Sequence, residues 1–481
     1  MEGMNRMDIS IVIPVHNKPE QLEKTLYFIS EQQGLDHIGL EVVIVDDGST
    51  EPVCAVVDSY RDKLPSLNYI FIPRDKHSCR SRARNTGIAE SKGRILVFLD
   101  SGIVIPDMMI QQSVGRIGNS TNTVLYHYIL GAFTDPDIED MTVIEGITPQ
   151  NLAETCERLK FHPGWEDMRT SHFELVGGDL NRMDVPWTMG WSGAVSASRD
   201  IVLKSGGFDE SFKGWGAEDT DFSYHLHLHG AAMYATEEIC VLHLPHAADD
   251  KIDMKIKTSF MNRKKMHFKH YTFDTELYPY SADMHYDGIM SKFNRLVIKY
   301  YTPLYSAELI GRLHEDYLAG AERSAIVGAD SYALLKELDV SHVFLQNKHI
   351  YQDLKSKLRD KEVVYMLGAD TPYASGYFDV LVVTDFYRMI SEPIAGIWLK
   401  ELQRISKKLV FIHNETYVSY LATVAGWTWH SLDELQSILS QKQLGYSVSA
   451  KVGESLLLDI AKVATPLKTE PAPVKEPVLK G

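Results

Sequence analysis

Four short runs in the first hundred residues are apolar along nearly their whole length: residues 9–15 (ISIVIPV), 40–45 (LEVVIV), 68–72 (NYIFI) and 94–99 (RILVFL). A strand with one face in water alternates polar and apolar residues. A strand that is apolar throughout is buried on both faces, which calls for a parallel sheet covered by helices. Helical patterns separate the runs: PEQLEKTLYFISEQQ puts Leu22, Leu26 and Ile29 on one face, and RSRARNTGIAESKG ends at Gly93. Three of the runs end in polar or acidic residues: His16-Asn17, Asp46-Asp47-Gly48-Ser49 and Asp100-Ser101-Gly102. Such sheets bind ligands beyond the carboxyl ends of their strands, so these residues predict where a site is built.

The chain has 481 residues, more than one core serves, since single cores stop growing near about 250–300 residues. A second alternation of strand and helix begins with AIVGA (325–329) and continues through HVFLQ (342–346), EVVYMLGA (362–369), FDVLVVTDF (378–386) and KLVFIHNE (408–415). The expected organisation is therefore a first α/β domain over 1–272, a connecting helical or irregular segment over 273–320, a smaller Rossmann-like α/β domain over 321–464, and a disordered Pro/Lys tail over 465–481. Forty-nine basic against 65 acidic residues give a net charge of −16. That balance argues against nucleic acid as the main partner, because such binding relies on cations that neutralise phosphates. No run of about 18 apolar residues predicts a membrane span, and MEGMNRMD carries no secretion-type apolar segment. These features predict a cytoplasmic protein. Peripheral membrane contact stays open through the basic stretch Lys255, Lys257, Arg263, Lys264, Lys265 and Lys269, for which a lid or a solvated helix face are the other readings. Four scattered cysteines suggest neither a disulfide framework nor a zinc knuckle.

The segments ISIVIPVHNKPEQLEKTL, VVIVDDGST and ARNTGIAESKGRILVFLDSG, in that order, resemble the opening of family 2 inverting glycosyltransferases of the GT-A fold. Further on, WSGAVSASRDIVLKSGGFDESFKGWGAEDTDFSYHLHLHG resembles the acceptor-side block of β-1,4-galactosyltransferases, polypeptide N-acetylgalactosaminyltransferases and chondroitin polymerases. The resemblance runs from residue 8 to about residue 250. It implies a GT-A nucleotide-sugar-binding domain with a mixed central sheet, a UDP-sugar donor, a divalent cation (Mn2+ or Mg2+), and an acceptor hydroxyl on a glycan, a peptide or a lipid-linked saccharide.

A sugar transferase must hold a leaving diphosphate and take a proton from the acceptor, and carboxylates at strand ends suit both tasks. By the resemblance, Asp100 is the first acid of an Asp-x-Asp metal motif. The sequence departs from that motif at Gly102, which gives weight to His243 in VLHLPH as the second metal ligand, with His246 as its substitute. Pro14 and Asn17 match the base-binding loop, Asp46 and Asp47 face the nucleotide, and Arg84 and Asn85 approach the nucleotide or its diphosphate. In Trp215-Gly216-Ala217-Glu218-Asp219, Asp219 is the expected base and Glu218 orients the acceptor, with the reverse order open. Trp187, Trp191, Gly193, Trp215 and Gly216 are expected on the acceptor side, with core packing the rival for the tryptophans. Arg80, Arg82 and Arg84 alternate and cannot share one helical face, so at least one is a surface charge.

Two functions of different class follow: a working transferase, and a catalytically weakened GT-A domain that binds sugar nucleotide or glycan, which Gly102 suggests. In the second domain, FDVLVVTDFYRMISEP and IWLKELQRISKKLVFI are faintly similar to class I methyltransferases. The loop VGADS (327–331) lacks the glycines that let a backbone approach a cofactor. The expectation is a degenerate module for acceptor recognition or for a homodimer.

Overall fold

The computed structural model describes residues 7–245, 252–281, 283–390, 392–417 and 431–462. The chain forms two compact units, Met1–Lys269 with Tyr278–Ser291, and His270–Leu277 with Lys292–Gly481. His246 and the expected tail 465–481 lie outside the described residues. Among the described residues, no helix is long and apolar enough to cross a membrane.

The first unit is built on eight strands: β1 (Ile9–Val15), β2 (Leu40–Asp46), β3 (Leu67–Phe71), β4 (Ile95–Leu99), β5 (Ile103–Val104), β6 (Thr123–Leu130), β7 (Ala194–Ser198) and β8 (Ala232–His243). They form a mixed sheet in the order β3-β2-β1-β4-β7-β6-β8-β5. β1, β2, β3 and β4 run parallel, with Val15 opposite Asp46 and Val12 opposite Phe98. Their apolar runs are inside on both faces: Ile11, Val12, Ile13, Val43, Ile44 and Phe98 are fully buried, each worth about 1.5–3 kcal/mol. The helix Pro19–Ser30 buries Leu22, Leu26, Phe28 and Ile29.

The other half of the sheet reverses direction at β7. Leu99 of β4 pairs with Ala194 of β7, so β7 starts where β4 stops. β8 runs parallel to β6 and ends at His243, opposite Ile103 of the two-residue β5. The carboxyl ends of β1, β2, β4, β6 and β8 and the start of β7 thus lie along one edge of the sheet, which carries Asp46, Asp100, Gly193 and His243.

In the second unit, β9 (Ser324–Val327), β10 (His342–Leu345), β11 (Glu362–Tyr365), β12 (Phe378–Val383), β13 (Ser406–Asn414), β14 (Leu444–Val452) and β15 (Ser455–Lys462) are ordered β11-β10-β9-β12-β13-β15-β14. β9 to β13 are parallel, and β14 and β15 form an antiparallel hairpin at the edge, turned at Gly453 with φ +55°. Strand order reverses between β9 and β12, where open α/β sheets take up ligands. Here side chains crowd that crevice. A side chain at Gly328 would run into Phe386, the hydroxyls of Tyr300 and Thr384 hydrogen-bond at 2.9 Å, and Tyr305 donates to Asp385 at 3.0 Å.

Beyond β11 the amides of Leu367, Gly368, Ala369 and Asp370 all donate to the carboxylate of Glu276, at 2.6, 2.8 and 3.1 Å for the first, second and fourth. Glu276 is 0% exposed. Burial pushes its pKa up from 4.5 to about 7, although the four amides pull it down. A carboxyl raised in this way binds its proton more tightly folded than unfolded. Its stabilisation is complete below pH 4.5 and disappears as pH rises through about 7, a change of order 3 kcal/mol. Urea unfolding between pH 4 and 8 should show this fall, and Glu276→Gln should remove it; an unchanged slope in the variant would contradict the assignment.

Candidate active site

The two acids that close β2 have different roles. Asp46 is committed to the fold: Oδ1 accepts from the Ser49 amide at 2.7 Å and Oδ2 from the Tyr69 hydroxyl at 2.8 Å. Asp47 is paired on one side only. Its Oδ2 accepts from Arg74 at 3.0 Å, while Oδ1 is buried with no hydrogen-bond partner among the described residues. Leaving a buried carboxylate oxygen unsatisfied costs about 1–3 kcal/mol, so this atom marks a place for a donor from a ligand.

Asn17 ties the neighbouring loops together. It sits at φ +50°, donates its amide to Ser49 Oγ at 2.9 Å, and its side-chain oxygen accepts from the amides of Thr50 (2.8 Å) and Glu51 (3.3 Å). Pro14, opposite Val45, lies just past the last residue pair of β1 with β4. Asn17 and Asp46 therefore shape the base of the site, and Asp47 is the acid with an open oxygen.

Asp100 follows β4, and its amide donates to the Gly193 carbonyl at 2.9 Å. A Cβ at Gly193 would stand 3.7 Å from Asp100 Oδ2. The partner of the half-buried Asp100 is Arg84, which donates to Oδ1 at 2.8 Å. Arg84 is 2% exposed, lies over the Phe208 ring at 5.3 Å, and keeps Nε and Nη1 without hydrogen-bond partners among the described residues. Burial pushes the Asp100 carboxyl up, but Arg84 first and then Arg80 outweigh it and hold the group below the ordinary carboxylate range; His243 adds in the same direction. Burial pulls the Arg84 guanidinium down, and Asp100, then Glu218 and Asp219, more than restore it. One guanidinium thus meets Asp100 directly and lies in the field of the adjacent Glu218 and Asp219, carboxylates from two places in the sequence.

The remaining residues of that helix, Arg80–Glu90, divide their tasks. Arg80, one turn before Arg84, is the most exposed of the three and reaches Glu218 Oε1 at 3.4 Å, and the partly buried Arg82 pairs with Asp75 at 2.7 Å. Asn85 is committed to holding the chain. It donates to the Phe208 carbonyl (2.8 Å) and Glu210 (2.9 Å) and accepts from the Phe208 amide (2.9 Å). Its amide staples the donor segment to the Gly-Gly-Phe loop, leaving no open group for a nucleotide.

Glu218 and Asp219 begin the helix Glu218–Leu228, where the positive helix end favours carboxylates. The turn before it holds three residues in the left-handed region, Gly214 (φ +78°), Gly216 (φ +94°) and Ala217 (φ +68°). For alanine this costs about 1–2 kcal/mol. Asn262, buried in the helix Ile252–His270, holds the turn by donating to the carbonyls of Lys213 (3.1 Å), Trp215 (3.4 Å) and Gly216 (2.8 Å). Gly216 is itself tight, since a Cβ there would come within 2.8 Å of Ser259 Oγ. At the far end of the same helix, Lys269 bridges Asp209 (2.6 Å) and Asp221 (2.9 Å).

The three tryptophans separate. Trp187 is 1% exposed inside a cluster with Tyr224, Tyr278 and Tyr286, with ring centres 5.0, 5.1 and 5.9 Å away. It is core and offers no face to a sugar. Trp191 is half-buried, with the Arg169 guanidinium 4.3 Å from its ring; Arg169 in turn is locked to the buried Asp167 at 2.7 Å. Trp215 is 38% exposed next to Glu218 and Asp219 in the chain.

Asn262, Arg74 and the Asp167–Arg169 pair were missed from sequence. A lone asparagine inside TSFMNRKK was the one available hint, since it interrupts an otherwise basic and apolar helix.

Residues 10–146 match the model of glycosyl transferase family 2, and residues 175–246 match the N-terminal domain of galactosyltransferase. The first unit carries a family 2 glycosyltransferase domain. Its mixed sheet is the GT-A-type arrangement that the sequence implies. A validoxylamine A glucosyltransferase of Streptomyces hygroscopicus subsp. limoneus is 33% identical over 240 residues, 50% of this chain and 52% of that protein. Its counterpart from S. hygroscopicus subsp. jinggangensis is 26% identical over 419 residues, 84% of this chain and 96% of the relative. The chondroitin synthase of Escherichia coli is 25% identical over 245 residues, 49% of this chain and 34% of the synthase.

In the first unit, Asn262→Ala leaves the left-handed turn without its donor. We expect a loss of about 1–3 kcal/mol in urea unfolding and faster amide hydrogen exchange at residues 214–217 with β1 to β4 unchanged. Unaltered exchange in the turn would contradict this role.

Proposed function

We propose that the chain transfers a sugar from a UDP-sugar to a hydroxyl of a glycan, peptide or lipid-linked saccharide, with inversion, in one in-line displacement. The observation that carries the reading is the sharing of Arg84: Asp100 at the donor strand ends, and Glu218 and Asp219 at the acceptor helix, lie in the field of one buried guanidinium. The relative that covers 84% of this chain is named a glucosyltransferase, which supports a hexosyl donor.

In this reading the open oxygen of Asp47 takes a donor from the nucleoside, and Arg84 with Asp100 stands at the diphosphate. Asp219 accepts the acceptor's hydroxyl proton as that oxygen bonds to the sugar's anomeric carbon. The bond from that carbon to the β-phosphate oxygen breaks, and its electron pair leaves on the nucleoside diphosphate. Glu218, held by Arg80, orients the acceptor, and the half-open face of Trp215 suits a pyranose ring.

The residues present fit a divalent cation with few protein ligands. Arg84 occupies Asp100 Oδ1, Asp100 and His243 stand at the same sheet edge, and a Mg2+-like shell is often completed by substrate phosphates and water. When bound, such an ion neutralises the departing diphosphate.

Gly102 favours a second reading, a domain that binds sugar nucleotide without turnover. Release of UDP from a panel of UDP-sugars separates the two. A working enzyme hydrolyses its donor slowly without acceptor, and Asp100→Ala abolishes that hydrolysis. Asp219→Asn lowers kcat for transfer by about 10²–10⁴ with donor KM little changed. Transfer by Asp219→Asn at the wild-type rate would remove the assigned base. Tight UDP binding with no release from any donor would establish the second reading.

A further inference from the structure

We infer that Phe133 and Trp191 form an aromatic corner that binds the ring of a saccharide acceptor, and that the buried Arg169 is the residue that positions it. The inference rests on the transferase reading above and narrows its acceptor, since a corner of two aromatic rings selects a cyclic sugar over an extended peptide.

Phe133 follows β6 on the sheet edge that carries Asp100, Gly193 and His243. Its ring is 60% exposed, yet the turn that carries it is fixed at both ends. Gly131 has φ +73°, and its amide donates to the Trp165 carbonyl at 2.9 Å. A Cβ at Gly131 would come within 2.6 Å of the His243 carbonyl oxygen, so the turn packs directly on the end of β8. Thr134 closes the turn from a buried position: its amide donates to the Gly131 carbonyl at 3.3 Å and its hydroxyl to the Gly164 carbonyl at 2.6 Å. A single exposed phenylalanine on a surface needs no explanation. One held on a rigid turn against a residue of the site edge does.

Its neighbour supplies the second observation. The ring centres of Phe133 and Trp191 are 5.6 Å apart with their planes at 72°, so the two rings stand as a corner. Trp191 lies two residues before Gly193, whose carbonyl accepts from the Asp100 amide at 2.9 Å. It keeps part of its surface open, whereas Trp187 on the same segment is sunk among tyrosines.

The Arg169 guanidinium lies over the Trp191 ring at 4.3 Å and is fully buried. Nε and Nη2 meet the two oxygens of Asp167 at 3.0 and 2.7 Å, Nη1 donates to the Met189 carbonyl at 2.9 Å, and Nη2 donates to the His127 carbonyl at 2.8 Å. Asp167 also accepts from the Ile129 amide at 2.8 Å. Apolar residues in place of a buried ion pair are often neutral or stabilising, so stability alone does not account for this one. What the pair fixes is geometry. A planar guanidinium locked both to β6 and to the segment before Trp191 presents one flat face on which the indole stacks. The C–H face of a pyranose then meets rings already in place, and less ordering is lost on binding.

The test is saturation-transfer NMR on the full chain with UDP present. The probes are the methyl glycosides of glucose, galactose and N-acetylglucosamine, with sorbitol as the open-chain control. A glycoside, and not sorbitol, should take up saturation at its ring C–H protons. Phe133→Ala, at an exposed position that the fold does not need, should lose most of that signal, and Phe161→Ala, at a phenylalanine 82% exposed elsewhere, should keep it. In transfer to the same glycoside, Phe133→Ala should raise the acceptor KM about tenfold with kcat little changed. Arg169→Met should raise that KM in the wild-type chain and add nothing in a Trp191→Ala chain, a non-additivity that a general loss of structure does not produce. No signal from any glycoside, an equal signal from sorbitol, or an undiminished signal in Phe133→Ala would overturn the corner, and full additivity would remove Arg169 from its role. A signal that depends on Phe133 in a protein that releases UDP from no donor would keep the saccharide corner and remove the transferase reading.

Discussion

A buried guanidinium cannot stand alone in a protein interior, and the arrangement around Arg84 follows from that constraint. The helix Arg80–Glu90 places it almost out of contact with water, against the face of Phe208, where its charge persists only with carboxylates nearby. Asp100 meets it directly, and Glu218 and Asp219 add their field from a helix more than a hundred residues further along the chain. The stability requirement of one side chain therefore draws the donor-side acid and the acceptor-side acids to the same place. Asn85, one residue on, makes the attachment mechanical by bonding both backbone groups of Phe208.

Much of this was legible in the sequence because the first strands are extreme. Runs such as ISIVIPV and RILVFL have no reading other than strands buried on both faces, and the acids that follow them mark the ligand edge. β7 was not legible: AVSAS is buried throughout, yet two serines and two alanines carry no strand signal without neighbours on both sides. β8 mixes exposed Glu237 and Glu238 with a buried end and passes an irregularity at His127/Tyr128, so no single period describes it. The β14–β15 hairpin had a cue in its Val-Gly-Glu-Ser turn, but the weak alternation of Leu444–Val452 masked it.

Individual roles within the site were less readable than its place, for a physical reason. Asp46 and Asp47 are adjacent and chemically identical, and only the positions of Tyr69, Ser49 and Arg74 decide which one keeps an open oxygen. Trp187 and Trp215 likewise differ by burial and not by local sequence. Asn262 acts across 46 to 49 residues on three carbonyls, a role set by the left-handed turn it holds. In the second unit, the strand order forms the usual ligand crevice, and Phe386, Tyr300 and Thr384 crowd it.

The account stands on one pocket that unites the two blocks of the first unit, and a crystal structure of the protein with UDP tests it most directly. The predicted result is a diphosphate in density beside Arg84 and Asp100, with the nucleoside against Asp47 and with Asp219 opening on the same hollow. Density for UDP elsewhere, or Asp47, Asp100 and Asp219 facing separate surfaces, would contradict it.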